Sequence, residues 1–260
     1  MRLSPITAIE TSRRSTSKSA GTLLTLVTAS TAFLFSISPK LVSGSDLSAS
    51  IHQRTFRIGH PAAQISKNSA TYSIMTSSSS TVGLPSQNEA FEGFASQPLV
   101  EPSTESAQLI KDAMDLFSAK PSALIFGRSW SRNAIFADPI CYAQGSRQYL
   151  AQWYGMPAAF SKSETLEWKL IKDTRLEVQY VQKQRYKVKA LGLQKDMVST
   201  VVMERDENTG KVKRFEDRWN HKPLGGILGW PFRRLNALTL PLLVGVPDDT
   251  KQAINQDKKD

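Results

Sequence analysis

The chain predicts an α+β fold in which helices come first and an antiparallel sheet follows. Three observations carry this. Leu109, Ile110, Ala113, Met114 and Phe117 fall at helical spacing and form one apolar stripe. From Glu164 onward the period changes to two, with apolar residues alternating with polar ones to about Asn220. Between the last two alternating runs, Asp206-Glu207-Asn208-Thr209-Gly210 reads as a hairpin connection. Helical periodicity segregated ahead of a run of strands is the α+β pattern.

The elements follow in order. The first helix opens near Ser106 and ends about Phe117. Pro121 suits the first turn of a second helix, where its missing N–H costs nothing, and that helix is expected to run through Leu124 and Ile125 to about Ser131. Ala134 to Asp138 is short and extended, because the residue before Pro139 is pushed out of the helical region. Gly145 then starts a third helix with Tyr149, Leu150, Trp153 and Tyr154 on one face. Leu166, Trp168 and Leu170 mark the first long strand. Leu176, Val178 and Tyr180 begin a second, which continues through Tyr186 and Val188. Met197 to Glu204 is a third and Val212 to Asn220 the last.

The flanks are different material. Of 260 residues, the first 95 hold 8 basic and 4 acidic side chains and are dominated by Ser and Thr, so the net charge of +10 divides into +4 there and +6 in the remainder. The globular part is only mildly basic, which excludes a dedicated nucleic-acid binder. Residues 1–75 read as a targeting leader: Arg2, Arg13, Arg14 and Lys18 precede the apolar run Thr22 to Ser38, and Glu10 is the only acid before Asp46. An Arg- and Ser-rich, acid-poor leader fits a mitochondrial transit peptide. A secretory signal or a short membrane anchor is the alternative, and a cytoplasmic product follows if translation starts at Met75. Residues 76–104 read as a Ser- and Pro-rich linker, 105–221 as the folded domain, and 222–260 as an apolar extension with a polar, frayed end from Asp248.

One cysteine, Cys141, excludes an intramolecular disulfide. With three histidines in all, two of them (His52 and His60) in the leader, no structural zinc set remains. No phosphate-cradling glycine loop follows a strand, so no cofactor is expected. Lys183, Arg185, Lys187 and Lys189 alternate along one strand and emerge on a common face, read as solvated rather than as an anion site. Leu224 to Val246 combines Trp230 and many leucines with Arg233 and Arg234. Its prolines and glycines argue against a membrane span, and it is expected to cover the domain or to contact a membrane surface.

Phe136-Ala137-Asp138-Pro139, the Gly145-initiated helix ending Trp153-Tyr154, and the closing Lys211-Val212 through Phe215, Asp217 and Trp219 together resemble the nuclear transport factor 2-like superfamily, in its SnoaL-like and ketosteroid isomerase-like branch. The resemblance covers about residues 105–221. It implies a cone-shaped α+β barrel, with N-terminal helices packed on a curved antiparallel sheet around an apolar pocket, and a homodimer. In ketosteroid isomerases the Asp of this Asp-Pro pair is the general base, and Asp138 matches it; a turn-forming role is the other reading. The first-helix tyrosine that serves those isomerases as oxyanion donor has no counterpart, Met114 and Phe117 lying there instead. Asp217 shares strand parity with Phe215 and Trp219 and is the candidate second acid. His221 could pair with either acid or stand at the surface. Tyr149, Trp153, Tyr154, Trp168 and Trp219 are expected in the core or pocket wall, and Cys141 in packing. The implied function is a protein that binds an apolar small molecule or acts as a scaffold, the alternative being a cofactor-free isomerase, cyclase or dehydratase using Asp138 as base.

Overall fold

Ser103 opens the first helix: its hydroxyl accepts from the backbone N–H of Ser106 at 3.3 Å, and helix α1 runs over Thr104–Phe117. A cap of this kind is worth about 1 kcal/mol. The structure, a computed structural model, describes residues 83–225 and 229–256. The expected leader, the Met75 start and the first part of the expected linker therefore lie outside the described residues. Leu109, Ile110, Ala113, Met114 and Phe117 are all buried in the main core. Helix α2 is shorter than the sequence suggests, Ala123–Ser129, because Ser122 and not Pro121 caps it, accepting from the Ile125 N–H at 3.3 Å, while Trp130 already begins strand β1 (Trp130–Ala137). A short strand β2 (Tyr142–Gln144), not expected from the sequence, follows. Gly145, at φ 77°, permits the sharp entry into α3 (Ser146–Ala159).

Four long strands complete the sheet: β3 (Phe160–Asp173), β4 (Glu177–Val188), β5 (Gln194–Arg205) and β6 (Val212–Trp219). Their order is β2-β1-β6-β5-β4-β3, and the sheet is not closed. The antiparallel expectation needs correction at one seam, since β1 pairs with β6 in parallel, Phe136 opposite Phe215. Parallel neighbours need a long connection, and everything from α3 to β5 supplies it.

Part of the stretch expected as linker is ordered against β3. Asn88 donates its N–H to the Trp168 carbonyl at 2.8 Å, and the Gln87 side chain accepts from the Leu170 N–H at 2.7 Å, so this segment satisfies edge groups of β3. It then crosses the outer face, where the fully buried Lys169 ammonium donates to the carbonyls of Glu89, Phe94 and Gln97 at 2.9, 2.9 and 2.8 Å.

The C-terminal extension folds back over the helices. Helix α4 (Trp230–Thr239) packs on β2 and a 3₁₀ turn (Leu240–Leu242) packs on α3. The end read as frayed forms α5 (Asp248–Asn255), with Asp248 and Asp249 in its first turn and Thr250 and Ile254 buried one turn apart. Two acids at a helix N-terminus and one apolar face suffice to order a short helix that has a surface to pack on. That surface is α2, where a Cβ on Gly127 would stand 3.2 Å from the Cβ of Ala253. Among the described residues no helix is long and apolar enough to cross a membrane.

Candidate functional site

The strand registers assemble rows of side chains on the core-facing side of the sheet. One row reads Leu170, Tyr180, Val201 and Asp217 across β3, β4, β5 and β6. The parallel pairing of Ala137 with Glu216 puts the next residue on each chain, Asp138 and Asp217, in continuing register. The flanking row on one side is apolar, with Val178, Met203, Phe215 and Phe136; on the other it is polar, with Gln182, Ser199 and Trp219. The two acids thus sit where an apolar floor meets polar atoms.

Asp138 is held by its own turn. Its Oδ1 accepts from the backbone N–H groups of Ile140 at 2.8 Å and Cys141 at 2.5 Å, and its N–H donates to the Cys141 carbonyl at 3.0 Å. The carbonyls of that loop face α4: Cys141 accepts from Arg233, Tyr142 from Arg234 at 2.7 Å, and Ile140 from Asn236 at 3.0 Å. Helix α4 therefore turns its polar side inward and braces the turn that carries Asp138. Burial, then the negative charge of Asp217, pushes the Asp138 carboxyl up to about 7; the two N–H donors and Arg233 oppose the shift.

Asp217 is buried and accepts from the Trp219 indole N–H at 2.8 Å through Oδ2, while its Oδ1 has no hydrogen-bond partner among the described residues. Burial raises this carboxyl to about 6, against the pull of Ser199 and Trp219. The Tyr180 hydroxyl, on the same row, is buried and also without a partner among the described residues; burial and Asp217 push its phenol well up. Burial and both carboxyls do the same to Tyr186. The Trp153 indole N–H and the Gln182 Oε1 are further buried atoms without a partner among the described residues. An orphaned buried polar atom carries a desolvation cost of about 1–3 kcal/mol.

The other sequence candidates are placed as follows. His221 does not join the acids. Its ring Nδ1 lies 2.9 Å from the Thr200 hydroxyl, Thr200 pairs with Arg218 on the outer face, and Phe91 and Phe94 stand edge-on to the ring at 6.5 and 5.1 Å. Tyr149 belongs to the core, its ring 4.8 Å from Trp130 and its hydroxyl donating to the Ser131 carbonyl at 3.2 Å. Tyr154 faces the tail and shares a 2.5 Å hydrogen bond with Thr250. Trp168 points its indole N–H to the Pro85 carbonyl at 2.8 Å. Trp153 and Trp219 do reach the site: Trp153 packs on Phe136 and Phe215 at 5.0 and 5.7 Å, and Trp219 holds Asp217. Cys141 is buried, its thiol pushed well up by burial and by Asp138. On the outer face Arg185 is bidentate to Asp196 at 2.7 Å and Lys183 pairs with Glu167, as a solvated strand face should. Tyr180 was the residue missed as a site member, although its alternation with Val178 marked it as core-facing.

No family model and no curated protein matches the sequence. Solved structures do resemble it. A protein assigned to the SnoaL-like polyketide cyclases from Shewanella putrefaciens CN-32 is 12% identical, over 53% of this chain and 90% of that one, with a TM-score of 0.39. An NTF2-like protein of unknown function from Exiguobacterium sp. 255-15 is 13% identical, over 44% and 99%, at 0.37. A protein with a ketosteroid isomerase-like fold from Catenulispora acidiphila, solved with trimethylamine, is 8% identical, over 42% and 82%, at 0.36. This chain is thus similar to SnoaL-like and ketosteroid isomerase-like proteins in fold. Likenesses of this strength say nothing about its chemistry.

Proposed function

We propose that this protein binds a small, mostly apolar carbonyl compound inside a cone formed by the helices and the sheet, and moves a proton on it without a cofactor. The observation that carries the reading is the placement of Asp138 and Asp217 in one buried register row with the unpartnered Tyr180 hydroxyl. Between about pH 6 and 7 the pair holds a single proton, which favours Asp138, while Asp217 is ionised. Such a pair offers a base and an acid together near neutral pH, where both are most effective. The Asp217 carboxylate takes the proton from the carbon next to the carbonyl. The C–H electron pair becomes the enolate, with its oxygen held by Tyr180, and Asp138 returns a proton to carbon. The missing first-helix tyrosine is then replaced by one from the sheet.

The test is hydrogen–deuterium exchange of 2-tetralone in heavy water, followed by proton NMR. Exchange above the buffer rate, bell-shaped between about pH 6 and 7 and reduced about a hundredfold or more by Asp217→Asn, supports the reading. Saturable binding of the ketone with no exchange would overturn catalysis and leave a binding protein; neither binding nor exchange would overturn the proposal.

A further inference from the structure

Strand β4 turns three polar side chains to the core from every second position, Tyr180, Gln182 and Gln184, and all three are buried. The two glutamines differ in how they are satisfied. Gln184 uses both ends of its amide: its Nε2 donates to the Phe117 carbonyl at 3.1 Å and to the Ser163 hydroxyl at 3.0 Å, and its Oε1 accepts from the Thr165 hydroxyl at 2.8 Å. Gln182 uses one end. Its Nε2 stands 3.5 Å from the Ser199 hydroxyl oxygen, and its Oε1 has no partner among the described residues. Ser199 fixes which end of the amide is bare. Its single proton is directed at the Asp217 carboxyl, so toward Gln182 the Ser199 oxygen accepts, and the amide presents its NH2 there. The atom left over is an acceptor.

We infer that Gln182 Oε1 accepts a hydrogen bond from a hydroxyl carried by the substrate, so that the compound bound at Tyr180 is a hydroxy ketone. The inference rests on the proposed function for the place of the carbonyl; the hydroxyl site itself rests on Gln182. Gln182 lies two residues from Tyr180 on the same face, about 7 Å along the strand. Side chains stand roughly perpendicular to a sheet, so the two polar ends keep about that spacing. A rigid ketone with a hydroxyl at the far end of its ring system spans both. A ketone without the hydroxyl leaves Oε1 bare and removed from water in the complex. An unpaired buried acceptor is what makes a polar site reject an analogue that lacks the donor. Gln182 is then the residue that sets substrate specificity, with Ser199 holding its amide and linking it to Asp217.

The experiment measures binding to the full chain by isothermal titration calorimetry, and proton exchange by NMR, for three kinds of ketone. They are 2-tetralone, its 6-hydroxy and 7-hydroxy derivatives, and the matching methyl ethers, which keep the second oxygen and lose the donor. Wild type should bind one of the hydroxy ketones about tenfold or more tighter than both 2-tetralone and the corresponding ether. In Gln182→Leu that ratio should fall to about one, a change that a general loosening of the fold would not produce. The ligand series on wild type decides the matter if the variant fails to fold. No preference for either hydroxy ketone, with 2-tetralone still exchanging, would overturn the inference and keep the proton transfer. A preference lost in Gln182→Leu, with no exchange on any ketone, would keep the inference and overturn the proton transfer. A preference that survives Gln182→Leu would overturn the inference, as would an ether bound as tightly as its hydroxy ketone, because the amide would then be donating. Failure to bind any of the ketones would overturn both.

Discussion

Replacing Asp138 by Asn should stabilise this protein at alkaline pH and leave it nearly unchanged in acid. Asn keeps an oxygen to accept from the N–H groups of Ile140 and Cys141, so the turn survives, but it has no charge to bury. The carboxyl moves from 3.8 in the unfolded chain to about 7 in the fold, a shift of roughly three units or about 4 kcal/mol. The folded state holds the extra proton across that interval, so the group's favourable contribution is complete below 3.8 and is lost as pH rises through about 7. The wild type therefore becomes less stable over this window, and Asp138→Asn does not share that loss. In urea unfolding followed by circular dichroism, the two proteins should have similar midpoints at pH 4. At pH 8 the variant midpoint should lie higher by about 2 M, for a slope of about 2 kcal/mol per molar urea. A smaller slope between pH 4 and 6 should remain in the variant, because Asp217, raised to about 6, still titrates there. Parallel pH profiles for the two proteins, or a variant less stable at pH 8, would refute a buried Asp138 that resists ionisation.

Lys169→Met should release the segment that crosses the outer face, since three carbonyls lose their common donor; we expect about 3 kcal/mol of destabilisation and faster cleavage at Phe91 and Phe94, read by limited chymotrypsin digestion and mass spectrometry. The Trp219 indole bonds directly to Asp217, so part of the intrinsic fluorescence should titrate at about pH 6 and the transition should vanish in both Trp219→Phe and Asp217→Asn; a transition that survives either change would separate it from this pair.

Much of the scaffold was legible because it rests on local periodicity. The alternation through Phe215, Asp217 and Trp219 placed all three on one face, and the structure buries all three. What was not legible depends on pairing across the sheet. Tyr180 reaches the acids only because the β4–β5 and β5–β6 registers set it opposite Val201 and Val201 opposite Asp217; an offset of one residue in either pairing would turn its hydroxyl to the outer face. For His221 the sequence leaves two placements open, beside an acid or at the surface, and the local backbone decides between them. It follows the strand immediately, but Asn220 and His221 both adopt left-handed backbone, at φ 52° and 59°, and the ring swings to the outer face. The ordered linker segment was hidden for another reason. Its anchors are one glutamine, one asparagine and a lysine in the middle of β3, none of which forms a periodic signal.

The C-terminal extension joins these observations into one argument. A helix whose composition looks amphipathic is ordinarily assigned its apolar side inward. Here the inward side is polar because the Asp138 turn directs three carbonyls away from the sheet, and buried carbonyls must be satisfied. Arg233, Arg234 and Asn236 supply the donors, and Arg233 also brings the positive charge that moderates the Asp138 shift. The apolar residues of α4 are then left facing outward by geometry. The feature that fixes the candidate catalytic carboxyl and the feature that exposes an apolar face are two sides of the same ten-residue helix. Any change that rotates α4 to hide its leucines must strip the turn of its donors, so the exposed apolar face persists as a consequence of how Asp138 is held.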